Sequence, residues 1–169
     1  FTGNTYPGAQ SPYGMVQLSP DNGLPGWDRI AGYYYPDSTI AGFSHTHLSG
    51  TGAGDLYDIL FMPVTRPYKE APAPLGIYST FSHNDEAASA GYYRVLLQDY
   101  NINVELTATP RCGIQRYTFP QAEASVFLNL KKALNWDFTL DSYIEVLDSV
   151  TIRGYRFSRG WSPDQHVYF

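Results

Sequence analysis

Tyr92-Tyr93-Arg94-Val95-Leu96-Leu97-Gln98 runs into Asp99-Tyr100-Asn101 and returns as Ile102-Asn103-Val104-Glu105-Leu106-Thr107. In the second run Ile102, Val104 and Leu106 alternate with Asn103, Glu105 and Thr107. Strand side chains point alternately to opposite faces, so one face of this run is apolar and the other polar. The residues between the runs are turn formers, and the pair is expected to be two antiparallel strands with one face buried. Working outward, Gly76 to Ser82, Ile114 to Phe119, Ser125 to Leu130, Tyr143 to Leu147, Val150 to Phe157 and Gln165 to Phe169 read as further strands. Their spacing is near ten residues, which predicts a β-meander in a large sandwich. Glu86 to Ala90 alone hints at a helical turn. The fold class expected is all-β: a large antiparallel β-sandwich of the supersandwich type, incomplete in this chain.

The N-terminal third differs. Residues 1 to 66 carry turn signals at short intervals, among them Tyr6-Pro7-Gly8, Ser11-Pro12-Tyr13-Gly14, Pro20-Asp21-Asn22-Gly23 and Pro25-Gly26. Met15 to Leu18 reads as a short strand, and Ile59 to Met62 as another that Pro63 stops. These loops concentrate Gly, His, Trp, Asp and Ser, and binding groups tend to sit on loops carried by a rigid sheet.

Composition narrows the function. The chain has 169 residues, 43% hydrophobic, 16% charged and 16% aromatic, with 15 Tyr. That length supports one domain with a real core. Net charge is −5 and no basic stripe is present, which argues against a nucleic-acid partner. No apolar run reaches the length of a membrane span. Cys112 is the only cysteine, so a disulfide framework within the chain is excluded. A buried structural thiol is expected there. The chain opens at Phe1 and stops inside an apparent strand at His166-Val167-Tyr168-Phe169, so both ends are expected to continue into a longer polypeptide.

Three constellations could carry chemistry. In Phe43 to Asp55, His45 and His47 would share a face if the backbone is extended. They could chelate a metal with Asp55 or Asp58 as third ligand, hold loops or touch a ligand hydroxyl by hydrogen bonding, or be structural. The Gly50-Thr51-Gly52-Ala53-Gly54 run lacks the Gly-Lys-Ser/Thr ending of a phosphate-binding loop. Gly26-Trp27-Asp28-Arg29 is the second. An indole offers a flat apolar wall to a sugar and the Asp28 carboxylate accepts from hydroxyls; a core Trp with a capping Asp is the alternative. Arg159-Gly160-Trp161 is the third, able to stack on or reach a ligand, or simply to pack. For glycosidic hydrolysis two carboxyls are needed; Asp28, Asp37, Asp55, Asp58 and Asp164 qualify by type, and no pair has a diagnostic spacing.

Four strings resemble the N-terminal domain of glycoside hydrolase family 92. They are Thr2 to Ala9, Pro12 to Asp21, Gly42 to Gly52, and Gly154-Tyr155-Arg156-Phe157 through Trp161; Gln115 to Pro120 adds a fifth. The resemblance runs along essentially the whole chain. The family often has His where Tyr34 stands and Phe where Tyr13 stands. What the resemblance implies is a calcium-dependent, inverting exo-α-mannosidase, secreted, periplasmic or cell-surface and typically bacterial, acting on mannose-containing oligosaccharides. It would pair this sandwich with a C-terminal (α/α)6 domain that supplies the acid, the base and the calcium ligands. No catalytic or metal-binding residue is then expected in residues 1–169. The expected substrate contacts are Trp27, Asp28, His45, His47, Ser49, Arg159 and Trp161. A freestanding carbohydrate-binding module is the competing reading, and a purely structural cell-surface sandwich a third.

Overall fold

A computed structural model describes residues 4–50, 54–73, 75–132 and 136–169. Among them there is no α-helix, only two short 3-10 turns at Trp27–Arg29 and His83–Asp85. The strands are β1 (Ala9–Gln10), β2 (Gln17–Asp21), β3 (Thr39–Ile40), β4 (Gly42–Ser44), β5 (Leu60–Thr65), β6 (Glu70–Ala71), β7 (Gly76–Ile77) and β8 (Ser79–Thr80), followed by β9 (Glu86–Ser89), β10 (Tyr92–Leu97), β11 (Ile102–Ala108) and β12 (Gly113–Thr118). The chain ends with β13 (Ala124–Asn129), β14 (Phe138–Val146), β15 (Ile152–Arg159) and β16 (Gln165–Tyr168).

Two sheets face each other across the core. One has the order β1-β2-β4-β5-β13 and the other β12-β11-β10-β9. The alternation at 92–107 sets the second sheet: Tyr93, Val95 and Leu97 pair with Leu106, Val104 and Ile102, and all six are buried. They meet Ala9, Leu18, Phe43, Met62 and Val64 of the opposing sheet. The Tyr93 hydroxyl, too deep for water, donates to Glu86 Oε1 at 2.7 Å. A third sheet, β14-β15-β16, carries the C-terminal part of the described chain.

The meander is interrupted. Residues 86–118 form one as expected, and so do residues 138–168, but β13 leaves the series and pairs with β5. Glu86–Ser89 is a strand, not a helical turn; its backbone is committed to β10. Pro63 does not stop its strand, which runs to Thr65. Strand β4 pairs with β5 only at Phe43–Phe61, leaving an open side beyond that point where a proline is tolerated. The Met15 to Leu18 strand is shifted to Gln17–Asp21. Gly76 to Ser82 is split into β7 and β8. Cys112 is exposed, not buried, because it closes the β11–β12 turn, where its N–H donates to Thr109 Oγ1 at 3.0 Å.

Candidate functional site: an aromatic rim over buried acids

The segment from Gly54 to Ile59 organises the site. Leu56, Tyr57 and Ile59 all have positive φ, at 79°, 67° and 58°. Such a conformation is unusual for residues with a Cβ and persists only where neighbours over-determine it. Here they do. Tyr57 N–H donates to Thr46 O at 3.0 Å, and Asp58 O accepts from His45 N–H at 2.9 Å. Thr46 Oγ1 accepts from Asp58 N–H at 2.9 Å and donates to Asp58 Oδ2 at 2.7 Å.

Below this segment lies a charge triad sealed from water. The Arg156 guanidinium forms ion pairs with Asp58 and Asp137, and all three side chains have no solvent exposure. Its Nε donates to Leu130 O at 3.1 Å and Thr139 Oγ1 at 3.0 Å. Burial raises the Asp137 carboxyl above the ordinary range, and the Arg156 charge opposes that rise. The triad joins the loop before β5 to β14 and β15, so it ties the third sheet to the sandwich.

Asp55 works through neutral donors. Its Oδ1 accepts from Leu56 N–H at 2.8 Å, and its Oδ2 accepts from Trp161 N–H at 2.8 Å and Gln165 Nε2 at 2.7 Å. Gly160 is required for that approach: a Cβ there would lie 2.4 Å from Asp55 Oδ1. Asp55 and Asp58, considered above as metal ligands or catalytic carboxylates, are therefore anchors of loops. Their oxygens are taken.

Two histidines follow different paths. His47 is 2% exposed; Nδ1 lies 2.7 Å from Gln17 O, while Nε2 lies 2.9 Å from Asp21 Oδ1 and 3.1 Å from Ser44 Oγ. It holds β2, β4 and the following loop together and meets no surface. His45 donates from Nδ1 to Ile59 O at 2.9 Å, and burial pushes its pKa down despite that carbonyl. It borders a depression of about 710 Å³ lined also by Met15, Phe61, Arg111, His166 and Tyr168. The two do not share an open face, because β4 ends at Ser44. Ser49 is exposed and hydrogen-bonded to Tyr6, whose phenol is raised by burial. The expected Gly50 to Gly54 run lies partly outside the described residues.

The described tryptophans sit above. Trp27 is 62% exposed, Trp136 49% and Trp161 76%. Trp27 and Trp136 meet with ring centroids 6.1 Å apart at 60°. Trp136 N–H donates to Gly54 O at 3.3 Å and Trp161 N–H to Asp55, so both hang from the same segment. The Trp27 turn is braced by Arg29, whose Nε donates to Asp37 Oδ2 at 2.6 Å and whose guanidinium lies 4.6 Å from the Tyr34 ring. Asp28 is exposed beside Trp27. Arg159 is exposed and lies over the Phe138 ring at 4.9 Å. Trp27 does not line the depression beside His45; Tyr57 links the histidine loop to the Trp27 turn, meeting the His47 ring at 5.6 Å and donating to Ile30 O. Trp136 and Phe138 were not among the residues expected from sequence, although Trp136-Asp137 repeats the Trp-Asp pairing of Trp27-Asp28.

The chain is thus an all-β body that presents exposed tryptophans, with the Asp28 carboxylate exposed beside Trp27 and the Arg159 guanidinium over Phe138. Residues 1–169 match the model of the glycosyl hydrolase family 92 N-terminal domain, and the chain belongs to that family. A family GH92 alpha-mannosidase from Bacteroides thetaiotaomicron, solved in complex with mannoimidazole, superposes with a TM-score of 0.92 at 41% identity, covering 99% of this chain and 23% of that one. An inverting GH92 mannosidase from the same organism gives a TM-score of 0.75 at 26% identity, over 98% of this chain and 21% of its own. An uncharacterized secreted glycosidase from Arthroderma benhamiae is 28% identical over 72% of this chain and 16% of its own length. The chain thus spans about a quarter or less of the length of these relatives.

Proposed function

We propose that this chain is the substrate-contacting N-terminal part of an inverting, calcium-dependent exo-α-mannosidase that trims mannose-containing glycans outside the cytoplasm. The observation that carries the reading is the exposed Trp27, in a turn braced by the Arg29–Asp37 pair and beside the exposed Asp28 carboxylate. The indole supplies a wall for the C–H face of a mannose ring, and Asp28 accepts from its hydroxyls. Arg159, Trp161 and Ser49 are exposed, and we assign them further contacts to the glycan. His47 contributes as a positioning residue, since its nitrogens are spent inside the fold.

Inversion requires an acid that protonates the leaving oxygen and a base that activates water, roughly 6.5–9.5 Å apart. Asp55, Asp58 and Asp137 are engaged by donors or by Arg156, so we assign both roles to residues outside 1–169, in the (α/α)6 domain implied by the resemblance. Calcium is assigned there too. It favours six to eight oxygen ligands, and among the described residues no three of His, Cys, Asp or Glu converge to hold an ion.

The test is an assay of the complete polypeptide on an aryl α-mannoside, with product anomer followed by NMR and with calcium removed by chelation. Expected are release of β-mannose, loss of turnover on chelation, and a fall of about tenfold or more in kcat/KM for Trp27→Ala. An α-configured product, or full activity in Trp27→Ala, would sink the reading.

A further inference from the structure

Lys132 follows β13 and turns its side chain inward. Its backbone N–H donates to Asn129 Oδ1 at 2.8 Å and its Nζ donates to Leu75 O at 2.8 Å, so the residue is held at both ends. That carbonyl takes one of the three protons an ammonium would carry. Asp21 acts on the amine through space, but its Oδ1 faces His47 and its Oδ2 meets no donor among the described residues. Lys132 also borders a cavity of about 360 Å³ whose walls include Ala41, Leu60, Met62, Leu75 and Phe127. A Cβ at Gly23 would lie 2.5 Å from Ala41, 2.9 Å from Leu75 and 3.1 Å from Lys132 Nζ, which puts the amine beside two of those walls. Lys69 is the contrasting case, half-exposed and ion-paired with Asp99.

We infer that Lys132 is a covalent-modification site, at which the amine condenses with a short aliphatic aldehyde seated in this cavity. Lysine becomes a nucleophile when an apolar setting strips away water and counter-charge, because only the uncharged amine has a lone pair to give. Burial lowers the Lys132 pKa to about 8. At neutral pH about one molecule in ten then carries the uncharged amine, against fewer than about one in a thousand for an ordinary lysine. In the reaction the Nζ lone pair adds to the aldehyde carbon, and a proton that nitrogen sheds passes to the former carbonyl oxygen. The carbinolamine expels that oxygen as water, together with the remaining N–H proton, and a C=N bond is left. One amine and one aldehyde give one imine and one water, with no oxidant or reductant. The apolar walls favour an aliphatic chain, and a cavity at the lower end of the range for small-molecule sites keeps that chain short. Trp27 does not line this cavity, so the site stands independently of the mannosidase reading.

The experiment treats the complete polypeptide with propionaldehyde and cyanoborohydride, which reduces each imine to a stable secondary amine, and locates the label by peptide mass mapping. Lys69, Lys131 and Lys132 are the lysines of residues 1–169. At neutral pH Lys132 is expected to be labelled about tenfold faster than either of the others, the rest of its advantage in uncharged amine being offset by access to the cavity. The ratio of Lys132 to Lys69 labelling should shrink as pH rises beyond about 8. The Lys132 amine is by then uncharged, while Lys69, held charged by its hydrogen bond to Asp99, is still gaining. In urea, with the cavity gone, the preference should vanish. Equal labelling of the three lysines in the folded protein at neutral pH, a ratio independent of pH, or a preference that survives unfolding would each overturn the inference.

Discussion

Replacing Arg156 with methionine keeps most of the apolar stem and removes the guanidinium. Two ion pairs and the hydrogen bonds to Leu130 O and Thr139 Oγ1 disappear, leaving Asp58 and Asp137 buried together without a cation. Breaking a buried pair by removing one partner costs about 3–5 kcal/mol, and two stranded carboxylates place this site near the upper figure. Against a total stability of about 5–15 kcal/mol that is a third or more. The corresponding fall in Tm is about 10–20 °C. The loss depends on pH with a definite sign. Burial already holds the Asp137 carboxyl high, and Arg156 is what pulls it down. Without Arg156 it rises further. A carboxyl raised in the folded state favours folding below its ordinary value, and that contribution is lost as pH climbs through the raised value. The variant is therefore nearest to wild type in acid and falls behind toward neutrality. Thermal melts of both proteins across this range, with Arg156→Met/Asp137→Asn as partial rescue, measure the effect. A Tm change below about 3 °C at neutral pH, or a deficit that does not shrink in acid, refutes the argument.

Gly160→Ala should cost about 1–3 kcal/mol, since its Cβ would meet Asp55 2.4 Å away and release the Trp161 amide; quenching of tryptophan fluorescence by iodide should rise alongside the fall in Tm. Ile102→Ala, in a fully buried position opposite Leu97, should lose about 2–5 kcal/mol in denaturant melts while leaving the site's ligand preference intact. Burial pushes Lys132 down to about 8, so folding strengthens as pH rises from there toward the ordinary lysine value of 10.5. In Lys132→Met that slope should be absent from a series of melts over the same range.

Local pattern reveals what local forces decide. The alternation at 92–107 fixed a strand pair because the burial of Ile102, Val104 and Leu106 is set by period two alone. The departure of β13 to join β5 had no such signature, as partners about 60 residues apart leave no mark in either segment. Strand β15 misleads in register. Tyr155 and Phe157 look like its core face, yet Arg156 and Ser158 are the buried ones. The aromatics stack on the other side, Tyr155 on Phe157 at 4.3 Å and Phe157 on His166 at 4.0 Å. A one-residue change of register exchanges the faces, and here the inward face was chosen by the ionic partners Asp58 and Asp137. Trp27 was legible as a candidate because Gly26 and Asp28 frame it, and Trp161 because it follows Arg159-Gly160. Trp136 shares only the following Asp137, and its contact with Trp27 joins partners too far apart in sequence to leave a local mark.

The rim is anchored by polar bonds because its own residues cannot anchor it. A loop that displays tryptophan to solvent gives up the apolar burial that would otherwise hold it. Its backbone amides still need acceptors. Asp55 meets that need for Trp161, and Gly54 O does so for Trp136. The Arg156 triad then fixes Asp58 and Asp137, the residues immediately beneath. Replacing such a triad by packed apolar side chains is often neutral or stabilising, so stability alone does not account for it. Geometry does: an ion-paired acid accepts bonds along defined directions, whereas an apolar core holds a loop only by shape. The left-handed residues Leu56, Tyr57 and Ile59 are the strain that this directional network sustains, and they lie in the segment from which two of the tryptophans hang.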